Sequence, residues 1–289
     1  MKSKVILITG CSSGIGHDAA LALSQRGHYV VAACRKEEDV KKLKALGLDA
    51  VQMNMDDTHS ITLAFYEIIK KTSGRLDVLI NNAGYGQAGA LEDVPRDALR
   101  SQFETNVFGL MDLTRLAIPI MRKQGQGRII NISSILGVIS MPFRGAYNAS
   151  KYAVEGLSDT LRLELKPSGI KVITIEPGPI ESRFRDNVID HSLKKINSEK
   201  SHFQAQYHLM MSDFRHSKNK SIFTQKTDSV ITKLVHAIEA KKPKAKYRVT
   251  FPAHLFAFLK RVLSAKMLDS MLYFLSKKEL GPDKEIANK

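Results

Sequence analysis

Residues 4–20 read Lys4-Val5-Ile6-Leu7-Ile8-Thr9-Gly10-Cys11-Ser12-Ser13-Gly14-Ile15-Gly16-His17-Asp18-Ala19-Ala20, and this stretch decides the fold. Val5 to Ile8 is a short aliphatic run bounded by glycine. That is the pattern of a strand buried on both faces, and it falls short of the apolar core of a leader peptide. From Gly14 the pattern turns helical. A strand, a glycine-rich turn and a helix N-terminus in succession aim backbone N–H groups and the positive end of the helix dipole at one point. Glycine then lets a pyrophosphate come close to the backbone. The glycines alone would fit a plain tight turn; the strand before them and the helix after them favour the phosphate-binding reading.

Outward from this turn one unit recurs as far as Ile175: a β-branched run, a turn with Gly or polar residues, and an amphipathic helical stretch. Strands are expected at Val5–Thr9, Tyr29–Cys34, Ala50–Met53, Val78–Ile80, Arg128–Ser133 and Lys171–Glu176, with helices near Gly14–Gln25, Glu37–Leu46, Thr58–Lys71, Arg96–Arg122 and Ala149–Lys166. The alternation predicts an α/β fold with a doubly wound parallel sheet. Val107–Met121 is apolar on nearly every face and Ala149–Leu165 on two sides, so both helices should be covered twice. A second subunit would supply that cover in a homodimer or homotetramer, and extra packing within the chain is the competing account.

Residues 181–225 lose this periodicity and become His- and Lys-rich, with Phe184, Phe203, Tyr207, Leu209, Met210, Met211 and Phe214 scattered among them. An insert of that kind is expected to be a lid over an apolar ligand. A helix (Thr227–Ala240), a basic linker (Lys241–Lys246), a short strand (Tyr247–Thr250) and a Leu- and Phe-rich helical tail (Phe251–Leu275) follow. The organisation expected is a single catalytic domain over 1–250, with its lid near 181–225, and a basic, apolar C-terminal helical extension over 251–289.

Composition excludes several classes. The chain of 289 residues is 43% hydrophobic and 25% charged, ordinary globular usage that rules out a disordered or collagen-like chain. Cys11 and Cys34 are the only cysteines, too few for a disulfide framework and without metal-ligand spacing. The compartment expected is reducing and cytoplasmic. The formal net charge is +15, and residues 190–289 hold 20 Lys/Arg against 9 Asp/Glu, so most of the excess lies in the C-terminal third. Such a field attracts anions, but no nucleic-acid motif with interleaved aromatics accompanies it, and no nucleic-acid partner is expected. The nine histidines form no His-x-x-x-His pair, so no metal is expected.

Further residues sharpen the reading. Asn81-Asn82-Ala83-Gly84 follows the fourth strand, Asn106 sits in the next long helix, Ser134 ends the fifth strand, Tyr147-Asn148-Ala149-Ser150-Lys151 opens a helix, and Pro177-Gly178 follows the sixth strand. Together with the spacing G-x-x-x-G-x-G of Gly10, Gly14 and Gly16, these elements over about residues 4–185 resemble the short-chain dehydrogenase/reductase family. That resemblance implies a Rossmann fold and a nicotinamide cofactor. It also implies hydride transfer, and it is strongest toward the hydroxysteroid and retinol dehydrogenase branch.

The Tyr147–Lys151 pair also has a physical reading of its own. Four residues apart on a helix, the two share a face. A free phenol titrates near 10; an ammonium about 4 Å away would bring it to roughly 7, where it can both give and take a proton. Tyr147 would then be the acid/base and Lys151 the charge that tunes it. The family resemblance adds that Lys151 holds the nicotinamide ribose, that Ser134 orients the substrate carbonyl, with Ser133 as the register alternative, and that Asn106 kinks its helix and supports a water leading to the lysine. Taken alone, a surface Tyr–Lys pair and a strand-end serine would each be the plainer account.

Cofactor choice is argued from the end of the second strand, where an NAD enzyme would place an acidic residue for the ribose 2′-hydroxyl. Cys34 and Arg35 stand there instead. Arg35, with the Ser12 hydroxyl, can pair with a 2′-phosphate, so NADP(H) is expected over NAD(H). The cofactor-binding set expected is Gly10, Ser12, Ser13, Gly14, Ile15, Gly16, Arg35, Asn54, Met55, Asn82, Ala83, Gly84, Tyr147, Lys151, Pro177, Gly178, Ile180 and Ser182. Asn54 and Met55 stand where the family often has Asp beside the adenine, and Ser182 replaces its usual threonine. Leu136, Met141 and Phe143 are expected to line an apolar substrate pocket. The branch resemblance implies a lipophilic steroid-, retinoid- or long-chain-like alcohol, ketone or aldehyde. The rival readings are a non-catalytic NADP-sensing protein and a reductase of small polar carbonyls. For the tail, packing on the domain is the first expectation and peripheral contact with a membrane surface the second.

Overall fold

The computed structural model describes residues 2–181, 192, 195–215 and 223–280. Among these the aliphatic runs form β1 (Val5–Thr9), β2 (Tyr29–Cys34), β3 (Asp49–Gln52), β4 (Val78–Asn81), β5 (Gly127–Ile132), β6 (Ile170–Glu176) and β7 (Lys246–Arg248). All pair in parallel, in the order β3-β2-β1-β4-β5-β6-β7. The chain therefore winds outward from β1 to β3, returns beside β1 as β4, and winds the other way. At that reversal the carboxyl ends of β1 and β4 open a crevice, the place where such sheets take ligands.

Side chains alternate along each strand, so one strand feeds two cores. Ile6 and Ile8 of β1 face a cluster completed by Ala19 and Leu23 of α1 (Gly14–Gln25), Val40 and Leu43 of α2 (Glu37–Ala45), and Val230 and Leu234 of α8 (Asp228–Glu239). Val5 and Leu7 face the opposite cluster, with Ile61 and Phe65 of α3 (Thr58–Lys71), Leu113 and Ala117 of α5 (Gly109–Lys123), and Leu161 of α6 (Gly145–Glu164).

The helix expected over Arg96–Arg122 is interrupted. α4 (Arg96–Phe103) passes through a π-turn, Glu104–Phe108, before α5 begins. The widened turn coincides with a tight approach, since a Cβ on Gly109 would lie 2.0 Å from the Met55 carbonyl oxygen. Such turns are frequent at functional sites, and this one carries Asn106. α6 starts at Gly145, earlier than the sequence pattern suggested, which puts Tyr147 inside the helix with Lys151.

Within the expected lid, α7 (Gln204–Arg215) is described. Phe203 and the fully buried Tyr207 pack edge-on against Phe143, with ring centres 5.2 and 5.8 Å away. Phe184 lies outside the described residues. The tail is two helices where one was expected, α9 (Phe251–Val262) and α10 (Ala265–Leu280), broken where Leu263 turns extended. The break lets Leu268 and Leu272 fold back onto Ala253, Ala257, Ile135 and Ile139, so the extension covers the loop that follows Ser134. Among the described residues no helix is long and apolar enough to cross a membrane.

Candidate active site

The glycine turn is shaped from both sides. Gly10 and Gly14 take φ of 72° and 60°, the left-handed region that glycine adopts freely. Asn82 Nδ2 donates to the carbonyls of Thr9 (2.9 Å) and Gly10 (3.1 Å), and the Ala83 N–H donates to Thr9 Oγ1 (3.0 Å). These bonds tie the end of β1 to the end of β4. Ser13 is the N-cap of α1, yet its side chain makes no capping bond and the first turn holds no acidic residue. The leading N–H groups are thus left to an anion. Beside Ser12, Ser13 and Gly14 lies a cleft of about 660 Å3, bordered by Lys42 and Lys226 and also by the carboxylates of Asp18, Asp39, Glu181 and Asp228, so its rim is of mixed charge. Ile15 packs against the core beneath.

Arg35 is exposed at the end of β2. Its charge opposes the burial and the Asp56 carboxylate that push the Tyr85 phenol up to about 12, so the guanidinium lies toward that side of the crevice. The Asn54 N–H donates to Ser60 Oγ (3.0 Å), while Met55 is buried with its carbonyl under Gly109. Cys11 and Cys34 are free and buried, and burial raises both thiols, that of Cys34 to about 11.

Ser134, Tyr147, Lys151 and Asn106 come together at the carboxyl edge of β4 and β5. The Tyr147 phenol is hydrogen-bonded to the Ser134 side chain. The Lys151 ammonium stands 5.7 Å from the Tyr147 ring centre and donates to the Ile132 carbonyl at 2.7 Å. Ser133 Oγ is buried without a partner, and it is Ser134 that meets the phenol. The Asn106 Nδ2 donates to the Tyr85 carbonyl (3.0 Å) and Ser150 Oγ (3.1 Å), and its Oδ1 accepts from the Tyr85 N–H (3.1 Å). Ser150 Oγ in turn donates to the Tyr147 carbonyl (2.8 Å), so Asn106 clamps the loop after β4 to the first turn of α6. Gly84 belongs to the same clamp, because a Cβ there would stand 3.0 Å from Asn106 Oδ1.

One expectation from the sequence is corrected. Proximity of the ammonium was expected to bring the phenol to roughly 7. Instead, burial pushes the Tyr147 phenol up to about 12, with the Ser134 hydrogen bond pulling the other way. Burial also lowers Lys151 to about 8, opposed by the nearby Glu155 carboxylate. Taking both groups out of water penalises phenolate and ammonium alike, and the lysine donates to a backbone carbonyl, that of Ile132.

Sequence reading missed the charges behind this pair. Glu155, one turn beyond Lys151, is buried and accepts from Lys246 Nζ at 2.7 Å. Glu176, at the end of β6, is fully buried and accepts from Arg248 Nε at 3.0 Å. The acidic residue at i+4 from Lys151 was the one available signal. Replacing Glu155 with Gln removes the carboxylate that opposes burial at Lys151, so the lysine should lose its proton at lower pH. The alkaline limb of kcat should move down in pH, and an unmoved limb with unchanged melting would refute the coupling.

After β6, the Pro177 carbonyl accepts from the Ile135 N–H (2.8 Å), and a Cβ on Gly178 would lie 2.0 Å from Thr250 Oγ1. Ile180 bridges to Gln225. Ser182 lies outside the described residues. Met141 and Phe143 line a second cleft of about 440 Å3 with Leu91, Pro142, Phe203 and Tyr273, and with Glu92, Gln206, Ser276 and Lys277 as its polar members. Leu136 packs below it, with the residues of α9 and α10. Tyr207 Oη donates to Asp93 (2.9 Å) and accepts from the Ala90 N–H (2.8 Å), pinning α7 over that cleft. Among the described residues no cluster of His, Cys, Asp or Glu is placed to hold a metal.

A parallel seven-stranded sheet with a glycine turn at its switch point and a Ser–Tyr–Lys set beside it defines a class. Residues 4–192 match the short chain dehydrogenase family model, and the chain belongs to that family of oxidoreductases. It is 41% identical over 272 residues to an uncharacterized oxidoreductase, YbbO, of Escherichia coli strain K12, covering 93% of this chain and 94% of the relative. It is 44% identical over 188 residues to a 3-ketodihydrosphingosine reductase of Bacteroides thetaiotaomicron (65% of this chain, 68% of the relative). It is 33% identical to the 17-beta-hydroxysteroid dehydrogenase type 6 of Rattus norvegicus over 283 residues (94% and 88%). Among solved structures, a short-chain dehydrogenase from Streptomyces avermitilis superposes with a TM-score of 0.73 at 29% identity, covering 96% of each chain.

Proposed function

We propose that the chain moves a hydride between NADP(H) and a lipophilic alcohol or its ketone or aldehyde. The observation that carries this reading is the buried Tyr147 phenol, hydrogen-bonded to Ser134 and one helical turn from Lys151. The residues fit a nicotinamide dinucleotide: α1 presents an uncapped N-terminus to a pyrophosphate, and Lys151 stands buried at the site's inner end. When bound, that group supplies or accepts the hydride. Ser134 orients the substrate oxygen, and Tyr147 donates its proton to that oxygen in reduction and takes it back in oxidation. Lys151 would hold the ribose hydroxyls and favour the phenolate. A phenol pushed up to about 12 is protonated at neutral pH, the form that carbonyl reduction needs.

Preference for NADP(H) is supported by Arg35, which is exposed at the end of β2 and takes part in no ion pair among the described residues. Substitution Arg35→Asp should reverse the NADPH-over-NADH ratio of kcat/KM, by about 10- to 100-fold in favour of NADH. An unchanged ratio would remove Arg35 from the argument.

The lipophilic substrate class is supported by the side chains that border the second cleft, among them Met141, Pro142, Phe143 and Phe203. The names of two relatives, a 3-ketodihydrosphingosine reductase and a 17-beta-hydroxysteroid dehydrogenase, agree with it. NADPH consumption with a panel of steroid ketones, retinal, long-chain aldehydes and sugars tests the class. The lipophilic carbonyls should give the larger kcat/KM, and a sugar turned over as well as they are would overturn it.

A further inference from the structure

The outer face of α9 has no role in the site just described. Phe251, Leu255, Phe258 and Val262 recur at i, i+4, i+7 and i+11, which places them on one stripe, and they are 61, 37, 60 and 56% exposed. The opposite stripe, Ala253 and Ala257, is buried against Ile135 and Ile139. The helix is therefore apolar on two sides and covered on one. Phe223 stacks on Phe251 with ring centres 5.9 Å apart and extends the exposed stripe.

Charge identifies the occupant. Between residues 251 and 280 stand Lys260, Arg261, Lys266, Lys277 and Lys278 against Asp269 and Glu279. Lys260, Arg261 and Lys266 are exposed around the α9–α10 corner, beside Val262. We infer that the outer stripe of α9 and this basic corner dock on an anionic lipid bilayer. A second copy of the chain would set like charges against one another across a two-fold contact, whereas anionic headgroups meet them with opposite charge while the apolar stripe enters the acyl boundary. The helix that follows the stripe reaches the proposed substrate cleft, because α10 sends Tyr273 and Ser276 into the wall of the 440 Å3 cleft. Resting on the proposed function, this gives a lipophilic substrate a short path from bilayer to cleft.

The test is co-flotation of the full chain with phosphatidylcholine vesicles, with and without phosphatidylglycerol. The wild type should float with the phosphatidylglycerol vesicles, and added salt should weaken that binding. Phe258→Ser with Val262→Ser, and separately Arg261→Glu with Lys266→Glu, should each lower the bound fraction about tenfold, with melting and the reduction of a water-soluble aldehyde unchanged. Two variants are used so that misfolding of the apolar pair leaves the charge pair to decide. No flotation by the wild type, equal flotation by the folded variants, or a concentration-dependent dimer lost in Phe258→Ser would overturn the proposal. An absence of aldehyde reduction alongside intact flotation would count against the enzyme reading and leave the docking surface standing.

Discussion

Tyr147→Phe is expected to lower kcat for carbonyl reduction by roughly a thousand-fold, within the range that general acid catalysis contributes. The substitution removes one oxygen from a site that is otherwise fixed. Asn106 and Ser150 hold the first turn of α6 through backbone contacts that do not involve the phenol. Cofactor affinity and melting temperature should therefore stay near wild type, and the loss should appear in kcat with little change in KM. Stopped-flow NADPH oxidation together with a binding titration separates the two. A variant that keeps its turnover would transfer the proton role to another group and remove the main support of the proposed function. The direction of the phenol's shift adds a pH signature. Because burial raises Tyr147 to about 12, oxidation of the alcohol should gain rate as pH rises through the neutral range, while reduction should stay flat until Lys151, lowered to about 8, begins to lose its proton.

Gly16→Ala is expected to be nearly as damaging, by a different route. A Cβ at this position would lie 2.4 Å from the Gly10 carbonyl oxygen and 2.4 Å from Asn82 Nδ2. The Gly10 oxygen is backbone, and Asn82 is held by two carbonyls, so neither yields cheaply. The turn must open, at a cost of about 1–3 kcal/mol for overpacking, which lowers Tm by roughly 5 °C. Displacing the N-terminus of α1 moves its N–H groups off the phosphate, which should weaken nicotinamide dinucleotide binding about 10- to 100-fold. Calorimetric melting and a cofactor titration read the two effects separately. A variant that melts normally and binds NADP normally would show that the close approach is not needed.

How far the fold was legible depended on whether the signal was local. β1 and β2 and the helices α1 and α3 fall where periodicity put them, because each has a fully buried or one-faced pattern set by its own residues. The helical stretch over Arg96–Arg122 is found, with a π-turn at Asn106 where the family resemblance implied a kink, whereas the single tail helix was misjudged. In both, the interruption answers a distant partner: the Met55 carbonyl against Gly109, and the Ile135–Ile139 loop against α9 and α10. The pair Tyr147 and Lys151 was visible from spacing; Asn106 was named only through the family resemblance, for a helix kink and a water, and the clamp it makes on Tyr85 and Ser150 was not read. Glu155 and Glu176 were not read, since nothing in their own neighbourhood says that β7 will bring Lys246 and Arg248 beside them.

The winding of the sheet, the glycine turn at its centre and the placing of Tyr147 and Lys151 on one helix face were legible in the amino-acid sequence. Those features are written in residues a few positions apart, where helix and strand geometry leave little freedom. The protonation behaviour of Tyr147 and Lys151, by contrast, follows from the packing around them. An ammonium one turn away argued for an acidic phenol, yet removal from water outweighs that attraction once both groups are buried. Burial is a property of every element packed around a site, and no stretch of sequence carries it alone.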